Sequence, residues 1–374
     1  MRKTLPGLIA LAAAGALALT ACSTDRTSTP AQNTNKNTAA ATSGKLCIPT
    51  GAPIGVSLPQ KTSENWVLAE QLFNDGLTAA GFKPIVQFAN SGVTEQQNQI
   101  DAMTQQGAKV IVVGAIDGSQ LGTQLEAAKA TGATIIAYDR LVKNTKAVDA
   151  YVAFDNFKVG VLQGTALLQG LKERKGAGPY NVELIAGSSD DANAMPFFEG
   201  AMSILKPKID DKTLKVVSGQ TSFEQVATQG WKAENAQKRM DTVLSGFYAG
   251  SVKLDGILSP NDTLARAALT AVQQAGKDVP VITGQDSEVE SVKSIMAGVQ
   301  YSTIYKDTRE LVKQSIDSIV ALQNCKEIPI NDTKQYNNGV KVVPAFLLEP
   351  KIVTKANAAE VYAKDTTLGP LTKG

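Results

Sequence analysis

From Ile48 onward the chain switches repeatedly between short β-branched runs and longer stretches of helical period. Strand-like runs occupy 54–58, 84–88, 109–113, 134–138, 151–154, 182–186, 214–218, 256–259, 279–283 and 301–305. Most are continuous apolar stretches bounded by Gly, Pro, Asn or Asp, the pattern of parallel strands buried on both faces. Helical periods fill the gaps at 66–79, 94–106, 121–131, 158–172, 194–205, 225–243, 263–275, 289–297 and 308–322. Repeated βα units of this length predict an α/β fold of doubly wound parallel sheets. So many strands exceed one typical domain. At roughly 150 residues per domain, the 374-residue length also predicts two lobes.

In doubly wound sheets ligands sit beyond the carboxyl ends of the strands. The residues that follow the apolar runs are Pro59-Gln60-Lys61, Ala89-Asn90, Ile116-Asp117, Asp139-Arg140, Asp155-Asn156, the 188–193 loop, Asn261-Asp262, Gln285-Asp286 and Lys306-Asp307. Neither G-x-G-x-x-G after the first strand nor G-x-x-x-x-G-K-[ST] occurs, so dinucleotide and triphosphate binding lack their signatures. What these loops carry is Asp, Asn, Arg and Lys, with Trp66 and Trp231 beside them. That set suits a neutral polyol. Each sugar hydroxyl both donates and accepts, and carboxylates, amides and cations together satisfy it. A flat indole covers the apolar C–H face of a pyranose. Singly, each position has a structural explanation as N-cap, turn former or core aromatic. Collected after consecutive strands, they point to one binding site.

Composition removes several alternatives. The chain has no His, which excludes Ser-His-Asp and Cys-His triads and every His-containing zinc site. Three Cys cannot build an all-cysteine zinc site, which needs four. No metal and no cofactor is therefore expected. A formal net charge of +2 gives no case for nucleic acid, which needs clustered Lys and Arg.

That charge also has a location. Arg2 and Lys3 open the chain and a mostly apolar Ala/Leu run follows to Ala21, the layout of a secretory signal. It ends in Leu19-Thr20-Ala21-Cys22, a small-residue cleavage site with Cys at the next position, as in a bacterial lipobox. Residues 1–21 read as a lipoprotein signal peptide, with Cys22 as the lipid attachment site. A plain signal peptide with a chance Cys, or a retained membrane anchor, would be the alternatives. The run is short for an anchor. Without Arg2 and Lys3 the 37 basic residues fall to 35, matching the 35 acidic ones. Residues 22–46, rich in Ser, Thr, Asn, Ala and Gln, cannot bury enough apolar surface to fold and read as a disordered tether. Cys47 and Cys325 then remain, and two thiols of an exported protein are expected to pair.

Ala137-Tyr138-Asp139-Arg140-Leu141, Phe154-Asp155-Asn156, Ser259-Pro260-Asn261-Asp262 and Gly284-Gln285-Asp286 occur in this order, followed by Tyr305-Lys306-Asp307-Thr308-Arg309-Glu310 and Asn338-Gly339-Val340-Lys341-Val342-Val343-Pro344. With this motif set the chain resembles the substrate-binding proteins of bacterial ABC sugar importers, in the xylose-binding and multiple-monosaccharide-binding branch. The resemblance spans roughly 54–361. It implies two lobes of the type I periplasmic-binding-protein kind, joined by three crossings near Asp155, Ser302 and Val343. The N-terminal lobe would be 47–154 plus 304–342, and the C-terminal lobe 155–303 plus 343–374. Both Cys47 and Cys325 would then lie on the first lobe.

Residue by residue, the resemblance places Asp139 and Arg140 on the sugar from the first lobe, with Trp66 opening the first helix. Asp191, Asn193, Asn261 and Asp286 face it from the second lobe, Trp231 stacks on it, and Lys306 stands at the hinge. Two positions depart from the family pattern. Asn65 stands where Arg usually precedes the aromatic, so a charged contact is lost or moved, with Lys61 the nearby candidate. Ala192-Asn193 keeps one amide of the usual Asn pair. The implied function is capture of one monosaccharide, an aldose such as xylose, glucose or galactose, by a monomer held at the membrane by lipid, and its delivery to ABC permease subunits. A role as receptor for a chemotaxis or sensor-kinase partner is the alternative. A hydrolase needs two suitably spaced carboxylates; those at 139, 191 and 286 already have hydroxyl-binding roles, so no enzyme is expected. A transcription repressor of related fold is not expected either, because the export signal stands where its DNA-binding domain would be.

Overall fold

The computed structural model describes residues 47–61 and 63–373. The signal segment, Cys22 and the tether lie outside the described residues. In chain order the elements are β1 (Pro53–Leu58), α1 (Glu64–Ala79), β2 (Lys83–Phe88), α2 (Val93–Gln105), β3 (Val110–Val113), α3 (Gly122–Ala130), β4 (Thr134–Tyr138) and β5 (Ala150–Phe154). Then come α4 (Asn156–Lys175), β6 (Tyr180–Leu184), α5 (Ala194–Asp210), β7 (Leu214–Val216), α6 (Phe223–Val226), α7 (Ala233–Phe247), β8 (Gly256–Leu258), α8 (Asp262–Gln274), β9 (Val281–Ile282) and α9 (Val289–Met296). The chain ends with β10 (Ser302–Tyr305), α10 (Thr308–Gln323), β11 (Ala345–Leu348), β12 (Lys351–Thr354) and α11 (Ala358–Val361).

Two sheets carry the two expected lobes. The first has six strands in the order β11-β5-β4-β3-β1-β2 and the second has four in the order β7-β6-β8-β9. Their strand pairs are parallel throughout. β3 shows why the apolar runs were legible: Val110-Ile111-Val112-Val113 is buried at every position, because helices cover both faces. β10 pairs antiparallel with β12, and its Ile304 exchanges backbone bonds with the 284–286 loop beside β9.

Three features lie elsewhere than the sequence pattern predicts. β11 runs parallel to β5 in the register Ala345↔Tyr151 to Leu348↔Phe154, so 343–348 belongs to the first sheet, not to the second lobe. The third crossing lies at Glu349-Pro350, beyond Val343. β10 stays wholly with the second lobe, so the second crossing lies at Lys306-Asp307 rather than near Ser302. The single helix expected over 225–243 is broken. Ala227 leaves α6 in extended backbone, Gly230 turns left-handed (φ 67°), and a 3-10 turn at Gln229–Trp231 precedes α7. The break projects the indole of Trp231 where a continuous helix would not.

Capping fixes the crossings. Asp155 caps α4 by accepting from Lys158 N at 3.0 Å, and Asp307 caps α10 by accepting from Arg309 N at 3.0 Å. A disulfide joins Cys47 to Cys325 across 278 residues of sequence, tying the entry of the first lobe to the end of α10. In the second lobe α4 and α5 touch backbone to backbone through glycines. A methyl placed on Gly160 would meet Phe197 O at 2.0 Å, and one on Gly200 would meet Phe157 O at 2.1 Å. This close contact sets the position of α5, whose N-terminus carries Asn193.

Gly200→Ala should therefore destabilise the protein by about 1–3 kcal/mol, because the helices must move apart. Gly246→Ala on α7, where nothing lies within 4 Å of the added methyl, should stabilise it by about 0.5–1 kcal/mol through helix propensity. Chemical denaturation reads both. Equal effects of the same sign would contradict the packing described.

Candidate functional site

The carboxyl ends of the strands face one another across the gap between the sheets, and the loops that follow them line a single cavity. All ten residues singled out as ligand-binding from the sequence line it: Asn65, Trp66, Asp139, Arg140, Asp191, Asn193, Trp231, Asn261, Asp286 and Lys306. Its unfilled space is about 410 Å³, part of it open to solvent. Among the described residues no group of three or more His, Cys, Asp or Glu is arranged to hold a metal ion.

Asp139 follows β4 with a left-handed backbone (φ 59°). Its carbonyl oxygen accepts from Tyr151 Oη at 2.5 Å and from Asn193 Nδ2 at 2.8 Å, the second bond coming from the opposite lobe. Arg140 donates through Nη1 to Ala115 O at 3.0 Å and lies 5.3 Å from the Trp66 ring centre. Its Nε sits 3.1 Å from Asp191 Oδ2 across the cleft. Asp191 also accepts from Trp231 Nε1 at 3.1 Å and from Asn193 N at 2.9 Å. Trp231 is itself left-handed (φ 55°) and is wedged against Gly187, where an added methyl would fall 2.2 Å from the indole. Asp286 is left-handed too (φ 93°), held by its N–H donating to Ile304 O at 2.9 Å. Lys306 Nζ lies 3.3 Å from Asp286 and 3.8 Å from Asp139, above the Phe197 ring at 5.5 Å. Left-handed backbone at a non-glycine residue costs roughly 1–3 kcal/mol and gathers at functional sites. Three such residues meet here.

Two side chains carry a second duty. Asn261 Oδ1 caps α8 by accepting from Leu264 N at 2.9 Å, which turns its amide nitrogen away from the helix. The Asn65 amide oxygen accepts from the Ser63 hydroxyl. Lys61 does not supply the charge missing at position 65. It pairs with Glu70 at 3.3 Å, lies over Phe88, and is absent from the cavity wall.

Ser63, Phe197 and Gln285, which the sequence pattern does not single out as ligand-binding, complete the lining. Gln285 precedes Asp286 in a strand-end loop, so its signal was present. Phe197 is one turn beyond Asn193 on an amphipathic helix and is indistinguishable by period from a core aromatic. Ser63 reads as an ordinary residue ahead of a helix.

A sequence profile described as periplasmic binding protein domain matches residues 54–327. The multiple sugar-binding periplasmic receptor ChvE of Rhizobium radiobacter is 44% identical over 316 residues, covering 83% of this chain and 89% of that protein. The D-xylose-binding periplasmic protein of Escherichia coli (strain K12) is 35% identical over 83% of this chain and 89% of its own length. The chain belongs to the periplasmic binding protein family. An ABC transporter solute binding protein from Clostridium phytofermentans, with bound β-D-glucose, superimposes with a TM-score of 0.82 at 38% identity, covering 86% of this chain and all of that one. A carbohydrate transporter solute binding protein from Chloroflexus aurantiacus, in complex with D-glucose, gives 0.76 at 32% identity over 84% and 96% of the two chains. These relatives are binding proteins and receptors, not enzymes.

In this binding protein the cavity charges are strongly coupled to burial. Burial pushes the Asp191 carboxyl above the usual carboxylate range, opposed by Arg140, and burial does the same to Asp286, opposed by Lys306. Burial pulls Lys306 down, but the carboxylates of Asp286 and Asp139 outweigh it and the net shift is upward. Lys306 is therefore an ammonium throughout the neutral range. The raised Asp286 binds its proton more tightly in the folded than in the unfolded chain. Its contribution to stability is full below the unfolded-state value and is lost as pH rises through the folded one. Wild type should accordingly gain stability over Asp286→Asn as pH falls from neutral into the mildly acid range. Thermal melts of both proteins across that range check it, and parallel curves would contradict the assignment.

Proposed function

We propose that this protein captures one monosaccharide between its two lobes and delivers it to an ABC permease. The observation that carries the reading is the cavity itself, where buried carboxylates, amides and cations from both sheets converge beside two indoles. In this reading Asp139, Asp191 and Asp286 accept sugar hydroxyls, and Asn65, Asn193 and Asn261 donate to them. Arg140 and Lys306 give charge-assisted bonds from either side of the hinge. Trp66 and Trp231 cover the apolar faces of the ring. The likeness to proteins named as multiple sugar-binding and D-xylose-binding, and to structures holding D-glucose, supports an aldose such as glucose, xylose or galactose.

Closure follows from where the contacts originate. A ligand shifts a two-state equilibrium only by its differential affinity for the two states. A sugar touched by Asp139 and Arg140 on one lobe, and by Asp191, Asn261 and Asp286 on the other, gains its full set of bonds only when the lobes are together. The Leu19-Thr20-Ala21-Cys22 segment supports an extracytoplasmic protein anchored by lipid on Cys22. The word receptor in the name of the Rhizobium radiobacter relative supports a second reading, in which the loaded form is presented to a chemotaxis or sensor-kinase partner.

Calorimetric titration with aldohexoses and aldopentoses tests the proposal. At least one aldose should bind with one sugar per chain, and Trp231→Ala should weaken it by about 30-fold or more, the loss expected of a central aromatic contact. No heat from any aldose at millimolar concentration would reject the reading.

A further inference from the structure

The cavity wall is asymmetric in charge and in hydrogen-bonding sense. Its ionisable groups are three carboxylates, Asp139, Asp191 and Asp286, against two cations, Arg140 and Lys306. Both cations already face wall carboxylates. Arg140 spends Nε on Asp191 at 3.1 Å and Nη1 on Ala115 O at 3.0 Å. Lys306 lies between Asp286 at 3.3 Å and Asp139 at 3.8 Å. The remaining wall residues are neutral, Asn65 among them. Gln285 adds an unmet acceptor: it is 3% exposed, lines the cavity, and its Oε1 has no hydrogen-bond partner. A buried acceptor without a donor is costly, and a ligand hydroxyl removes that cost.

We infer that the site selects uncharged, hydroxyl-rich aldoses and rejects sugar acids, with Gln285 as an added hydroxyl acceptor and the neutral Asn65 as the position that withholds a free cation. The inference rests on the sugar-binding reading and narrows its substrate class. An aldohexose offers a hydroxyl at C6 that donates to the excess of acceptors. The corresponding uronate offers a carboxylate there, which donates nothing and enters a buried wall that already carries one carboxylate too many. Like charges brought together out of water cost several kcal/mol, and the neutral Asn65 offers no cation to offset that cost.

The test is calorimetric titration of the full chain at pH 7 with two matched pairs, D-glucose against D-glucuronate and D-galactose against D-galacturonate. For wild type each bound aldose should exceed its uronate by about 100-fold or more in affinity. Asn65→Arg should reduce that ratio at least about tenfold by giving the carboxylate a cation. Gln285→Leu should weaken the aldose about five- to tenfold while leaving the thermal midpoint of the empty protein unchanged or higher, because the orphaned acceptor is gone. A structural role for Gln285 would lower that midpoint instead. A wild-type uronate affinity within threefold of its aldose overturns the inference while leaving sugar binding intact. So does an unchanged ratio in a folded Asn65→Arg protein, and an unweakened Gln285→Leu overturns the part assigned to Gln285. Failure of every sugar to bind overturns the sugar-binding reading and this inference together.

Discussion

Five charged side chains stand buried where the two sheets face each other, and two of their ion pairs cross from one lobe to the other. Arg140 leaves the first lobe to meet Asp191 of the second at 3.1 Å, and Lys306 at the hinge lies between Asp139 of the first and Asp286 of the second. A buried charge without a partner is strongly destabilising, typically by about 3–5 kcal/mol when one member of a pair is removed. The Arg140–Asp191 and Lys306–Asp139 contacts bridge the two lobes. The lone pairs and protons that these pairs leave unmatched call for a polar occupant. Hydroxyls able to donate and accept at once are well suited to fill the remainder.

The scaffold explains how such exact placement is reached from loops. Each polar group follows the carboxyl end of a parallel strand whose position is fixed by burial on both faces, so a loop of a few residues inherits the precision of the sheet. The left-handed backbone at Asp139, Trp231 and Asp286 is an outlay that the surrounding bonds sustain. Tyr151 and Asn193 hold the Asp139 carbonyl, Gly187 receives the indole of Trp231, and Ile304 fixes Asp286. The glycine contact between α4 and α5 does the same for Asn193 at longer range.

Much of this was legible in the sequence. Long apolar runs such as Val110–Val113 announce buried parallel strands, and the polar residues after them announced the wall of the cavity. What stayed hidden has physical causes. β11 and β12 are four residues each, separated by Glu349-Pro350, and carry too little periodicity to stand out. The period of 225–243 is helical on both sides of Gly230, so the break that aims Trp231 registers only as one glycine. Phe197 shares the spacing of core aromatics, and only the arrival of Lys306 from a distant strand end makes it part of the wall.

A crystal structure of the protein grown with D-glucose tests the central account most directly. It should show one sugar in the cavity between the lobes, with an indole against its ring and hydroxyl bonds to carboxylates of both sheets. A sugar bound elsewhere, or held by residues of one lobe alone, would contradict it.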